Sequence, residues 1–205
     1  MLRPRKPPKE LRWSRALLSK MLRSAQQDGT LEIYKKELLK WSERVNLVGP
    51  EARENLDAHI GEALTAAEIL QPRGDVLDFG SGGGLPAIPM AIVSPEATFH
   101  LVEADQKKWS FLKHVARECG LNAVIYGDRL DRALKRFPPG LRFSLVTSRA
   151  VGSPEEWVPL LAGRLTGRVA LFQSTPEAPA FAEAVEVFTL PRGASNYLVT
   201  FHVKH

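Results

Sequence analysis

Apolar positions change their spacing once along the chain. From Trp13 to Leu70 they recur at helical intervals: Leu17, Met21 and Leu22, then Leu31, Tyr34, Leu38 and Trp41, then Leu56, Ile60, Leu64 and Ala67. The segments DGT at 28–30 and VGPE at 48–51 interrupt the pattern and divide it into about three helices. The leucine and aromatic stripe reads as a face packed against the rest of the protein.

After QPRG at 71–74 the apolar residues gather into short runs: DVLDFG (75–80), TFHLVEA (98–104), NAVIYG (122–127), FSLVTSRA (143–150) and RVALFQ (168–173). Helical stretches at 85–93, 106–118, 128–136 and 154–162 separate or follow them. Strands that are apolar almost throughout, alternating with helices, predict an α/β fold with a parallel sheet covered on both faces. The tail differs. AVEVFTLP (184–191) and SNYLVTFHVK (195–204), joined by RGA, predict an antiparallel hairpin, which brings the expected sheet to seven strands. The expected organisation is a basic tail at 1–12, a helical cap at 13–72 and a main domain at 73–205, cap and domain forming one unit.

Composition narrows the partners. The chain has 205 residues, 44% hydrophobic and 25% charged, and one cysteine, Cys119, which rules out a disulfide framework and a Cys-rich metal site. No apolar run approaches the roughly 20 residues that cross a bilayer, and a soluble, cytoplasmic protein is expected. A net charge of +5 and a pI near 9.5 favour a polyanion such as nucleic acid. Residues 1–12 place Arg3, Arg5, Lys6, Lys9 and Arg12 among Pro4, Pro7 and Pro8, so a disordered segment is expected there, either a solvated tail or an RNA-contacting arm.

The candidate chemistry lies in LDFGSGGGLPAIP at 77–89, at the end of the first main-domain strand, where open parallel sheets bind ligands. Gly80, Gly82, Gly83 and Gly84 tolerate positive φ and let a ligand approach bare backbone. The dinucleotide fingerprint G-x-G-x-x-G would need a third glycine where Leu85 stands, and no Lys-Ser or Lys-Thr pair follows to make a phosphate-binding P-loop. Glu103 ends the second strand, where a carboxylate can accept hydrogen bonds from both hydroxyls of a ribose. Together with Asp78, this set suits S-adenosylmethionine, a nucleoside with a cationic amino acid end and no phosphate, over a nicotinamide dinucleotide.

The segments WSERVNLVG (41–49), HIGEAL (59–64), LDFGSGGGLPAIPMAI (77–92), LVEADQKKWSFL (101–112), GDRLD (127–131) and VTSRAV (146–151) occur in an order and spacing that resemble one family. It is the bacterial 16S ribosomal RNA guanine-N7 methyltransferases, also called glucose-inhibited division protein B. The resemblance runs over roughly residues 30–172 and extends loosely to YLVTFHVK. It implies a Rossmann-like class I S-adenosylmethionine methyltransferase that modifies N7 of a guanine, guanine 527, in 16S rRNA of the small ribosomal subunit or its precursor, with no membrane partner and as a monomer. On this resemblance Asp78, Gly80, Gly82 and Leu85 bind the donor, Glu103 holds its ribose, Leu130 and Asp131 flank its adenine, and Arg149 sits near donor and target base. Asn46, His59, Lys107 and Lys108 fall in recurring motifs, for folding or RNA contact. Three positions depart from the family pattern: GEA at 61–63 replaces an aspartate and serine, Leu130–Asp131 an Ala-Glu, and Gln173–Ser174 a Lys-Gly after the fifth strand.

Guanine N7 already presents a lone pair and has no proton to lose, so no general acid or base is expected and positioning carries the rate. His59, His100, His114, His202 and His205 form no ligand-spaced pair, and no metal is expected. Lys107, Lys108, Lys113 and Arg117 on one helix, with Arg129, Arg132, Lys135 and Arg136 on the next, are the candidate phosphate contacts. Two other readings stay open: a non-catalytic rRNA-binding or assembly factor on the same fold, and an NAD-dependent oxidoreductase.

Overall fold

A computed structural model describes residues 29–149, 151–191 and 197–203. The basic tail, the apolar positions Leu17, Met21 and Leu22, and the turn at 192–194 lie outside them.

Seven strands form one sheet: β1 (Gly74–Phe79), β2 (Ala97–Val102), β3 (Ala123–Tyr126), β4 (Phe143–Arg149), β5 (Leu165–Gln173), β6 (Ala182–Thr189) and β7 (Tyr197–Val203). Their order is β3-β2-β1-β4-β5-β7-β6. The first five run parallel; β7 is antiparallel to both neighbours and lies between β5 and β6. The helices are α1 (Thr30–Ser42), α2 (Pro50–Glu54), α3 (Leu56–Leu70), α4 (Ala87–Ile92), α5 (Gln106–Glu118), α6 (Leu130–Arg136) and α7 (Pro154–Trp157).

Successive strand residues point to opposite faces, and β1 shows how this divides the core. Val76 packs with Leu38, Ile60 and Phe111 under α1, α3 and α5, whereas Leu77 and Phe79 pack with Phe137, Trp157 and Leu161 on the other face. Asp78, in phase with Val76, is carried to the face that the amino-terminal helices cover. Those helices dock through the same apolar cluster as the sheet, and the pair His114 Nε2 and Glu37 Oε2, 2.8 Å apart, ties α1 to α5.

Three departures from the sequence reading have local causes. The helix expected over 154–162 is a four-residue α7 followed by a 3₁₀ turn at Val158–Leu161, because Pro159 cannot donate an i→i−4 hydrogen bond. β5 starts at Leu165 rather than 168, since Gly167 lets the ladder continue past an irregularity opposite Phe143 and Leu145. A Cβ on Gly167 would lie 1.8 Å from the Ser144 carbonyl oxygen. The cap, finally, carries a short extra helix, α2, started by Pro50 at its first turn.

Candidate functional site

β1 is flanked by β2 and β4, and the chain leaves these two neighbours through connections on opposite faces, which opens a crevice at their carboxyl ends. The glycine loop sits there, fastened by Gly80 N–H and Ser81 N–H to the Val102 carbonyl at 2.8 and 3.3 Å.

The four glycines do different work. A Cβ on Gly80 would meet Val151 Cγ2 at 2.2 Å, and one on Gly84 would meet Ile88 Cγ1 at 2.4 Å, so both make room for protein. Gly83 has no positive φ and is pressed by the Leu47 carbonyl, Leu38 and Val48 from the cap. Gly82 alone of the four combines positive φ, +54°, with open space, its nearest neighbour being the Gly80 carbonyl at 3.8 Å. Of the four positions, Gly82 is thus the one at which a side chain is excluded by backbone conformation and not by a protein neighbour.

Glu103 braces that position. Its Oε2 accepts from Gly82 N–H at 2.8 Å and its Oε1 from Asp105 N–H at 2.8 Å. Each carboxylate oxygen has a second lone pair, so the group can hold the loop and still accept from two hydroxyls. Asp105 in turn caps α5, accepting from Lys107 N–H and Lys108 N–H, which places both lysines in the first turn of that helix.

Asp78 and Thr147 are register partners across β1 and β4, which places the Thr147 hydroxyl 2.6 Å from Asp78 Oδ1 as donor. Burial pushes the Asp78 carboxyl up to about 6, while the Thr147 hydrogen bond and the Arg149 charge pull it back. Tyr34 of α1 donates its hydroxyl to the Gly83 carbonyl at 2.9 Å; burial pushes its phenol up and keeps it a donor. The stripe read as packing thus also fastens the loop.

Arg149, at the end of β4, has a side chain 18% exposed, its Nη1 3.9 Å from Glu62 Oε2. Burial pulls its guanidinium down from the ordinary value; Tyr34, Glu62 and Asp78 pull it back up. It lines a cavity of about 450 Å³ together with His59, Ser148, Gly152, Phe172 and Gln173. Gln173 Nε2 donates to the Thr175 carbonyl at 2.8 Å and to the Glu177 carbonyl, which folds the loop after β5 along the cavity rim.

Of the other expected residues, Leu85 is buried in the core beneath the crevice. Leu130 is half-buried and Asp131 exposed in the first turn of α6, next to the loop that leaves β3. Asn46 is exposed. Sequence reasoning missed Thr147 and Glu62. The visible signal for Glu62 was a charged residue inside the apolar stripe of α3, one turn from His59. Among the described residues no group of three His, Cys, Asp or Glu side chains is placed to hold a metal ion, and no helix is long and apolar enough to cross a membrane.

The sequence profile of rRNA small subunit methyltransferase G matches residues 27–175, which include every element of this crevice. The chain belongs to that family. It is 39% identical over 134 residues to Ribosomal RNA small subunit methyltransferase G of Magnetococcus marinus, covering 64% of this chain and 60% of that protein. Its identity to the protein of the same name in Helicobacter pylori is 37% over 123 residues, covering 60% and 67%. The chain thus spans about three-fifths to two-thirds of these relatives. Among solved structures, precorrin-6y C5,15-methyltransferase of Geobacter metallireducens shares the Rossmann-like fold with a TM-score of 0.52 at 14% identity, covering 78% of this chain and 91% of that one.

Proposed function

We propose that this member of the methyltransferase G family uses S-adenosylmethionine to methylate N7 of a guanine in 16S rRNA of the small subunit or its precursor, at the position corresponding to guanine 527. The observation that carries this reading is the pairing of a carboxylate-braced open glycine, Glu103 with Gly82, and an adjoining polar cavity walled by Arg149.

The residues present suit the donor. Glu103 would accept from the ribose hydroxyls, the Gly80 and Gly82 backbone would run beneath the nucleoside, and Leu85 would offer main-chain groups. Leu130 and Asp131 would flank the adenine, and Asp78 would face the cationic amino acid end. When bound, the donor supplies an electrophilic methyl carbon on a sulfonium, which the purine N7 lone pair takes without loss of a proton.

The protein's own task is to align. Arg149 and Gln173 sit where a base splayed out of an RNA loop would enter, and Phe172 gives the cavity an apolar wall. No side chain need move a proton, because N7 has none to lose. The cap, sharing its core with the sheet, would act with it as one unit.

The test is transfer of a labelled methyl group from S-adenosylmethionine to unmodified small subunits, followed by mapping 7-methylguanine by its chemical strand cleavage. A single modified guanine supports the reading. Binding of rRNA without transfer would instead make the protein an assembly factor.

A further inference from the structure

Glu62 is 1% exposed on α3, in the middle of the face that meets the sheet. A carboxylate in so dry a place is costly unless a charge faces it. Its Oε2 lies 3.9 Å from Arg149 Nη1 and 3.4 Å from His59 Nδ1. The cap therefore sets a carboxylate beside the Arg149 guanidinium, which lines the polar cavity.

The distance matters. At 3.9 Å the pair attracts as charges without a hydrogen bond, so Glu62 draws the guanidinium toward α3 without using its N–H donors. Charge matters as well. Methyl transfer moves positive charge onto the purine, and a bare guanidinium beside that purine would oppose the change. A neutral pair would not.

Resting on the function proposed above, we infer that Glu62 is a positioning residue for methyl transfer: it holds Arg149 at the cavity wall and cancels its charge, so that the base meets hydrogen-bond donors without a net cation.

Steady-state methylation of small subunits separates this from a purely structural role. Glu62→Gln lowers kcat by about tenfold or more with little change in KM for RNA or in S-adenosylhomocysteine affinity, and Glu62→Asp restores part of the rate. The Arg149 Nε–H resonance, followed by NMR in 15N-arginine protein, broadens in Glu62→Gln. Wild-type kcat together with an unchanged Arg149 resonance in that variant overturns the inference. Should Glu62→Gln fail to fold, Glu62→Gln/Arg149→Met removes both charges. Positioning predicts a folded protein no faster than Arg149→Met, and wild-type rate in the pair overturns it. If the wild-type protein transfers no methyl group to rRNA, the proposed function falls, and the NMR comparison alone decides whether Glu62 orders Arg149.

Discussion

Among the described residues, one cavity opens at each end of β5. The one at the amino end of β5, about 600 Å³, is walled by Val158, Leu161, Leu165, Phe181 and Val203. The one at the carboxyl ends of β4 and β5, about 450 Å³, is walled by His59, Ser148, Arg149, Phe172 and Gln173. The larger is lined by apolar residues and, among the described residues, by no charged side chain. The smaller adjoins Glu62, Arg149, Thr147 and Asp78, and beyond them the glycine loop. Volume is a packing property; converging polar groups at the strand ends are what a polar nucleobase requires.

The largest effect that can break this comparison is at Glu103. Replacing it with alanine removes the acceptor for two hydroxyls and the brace of Gly82; charged hydrogen bonds contribute about 1.5–3 kcal/mol each. Affinity for S-adenosylhomocysteine, measured by calorimetry, should fall by roughly 100-fold or more, and unchanged affinity would remove the ribose assignment.

Asp78 sharpens it through pH. Its folded carboxyl titrates near 6 against an ordinary 3.8, so the folded protein holds this proton more tightly than the unfolded chain. The destabilisation from ionising it is absent below pH 3.8, grows as pH rises and is complete above 6. Asp78→Asn should therefore gain stability over wild type across that window, by up to about 3 kcal/mol above it, while binding the donor less well. Chemical denaturation at pH 4 and pH 7 checks the sign.

Smaller effects follow. Tyr34→Phe leaves the buried Gly83 carbonyl without its donor and should cost about 1–3 kcal/mol, with the loop's amide exchange rising before that of the strands. At the apolar cavity, Ala162→Leu adds bulk on the rim and should change stability by less than about 0.5 kcal/mol, with methyl transfer unaltered. A large loss of transfer there would mean the two cavities are coupled.

The sequence carried the fold well because both periodicities are strong: β1 to β5 are apolar runs punctuated by helices, and the shift at residues 71–74 is sharp. The places of Glu103 and the loop were legible because both fall at strand ends. Pro159 and Gly167 were visible residues whose consequences depend on a neighbour, Gly167 above all, since only the approach of Ser144 makes it obligatory. The division of labour among Gly80, Gly82, Gly83 and Gly84 could not be read, because it is set by Val151, Ile88 and the cap. Glu62 was hidden for the same reason: its partner, Arg149, lies far away in sequence and comes near only when α3 covers β4.

A crystal structure with S-adenosylhomocysteine tests the central claim most directly. The account predicts the nucleoside over Gly82 with both ribose hydroxyls on Glu103 and the sulfur turned toward the Arg149 cavity. Density for the ligand in the apolar cavity, or a crevice still empty at saturating concentration, would contradict it.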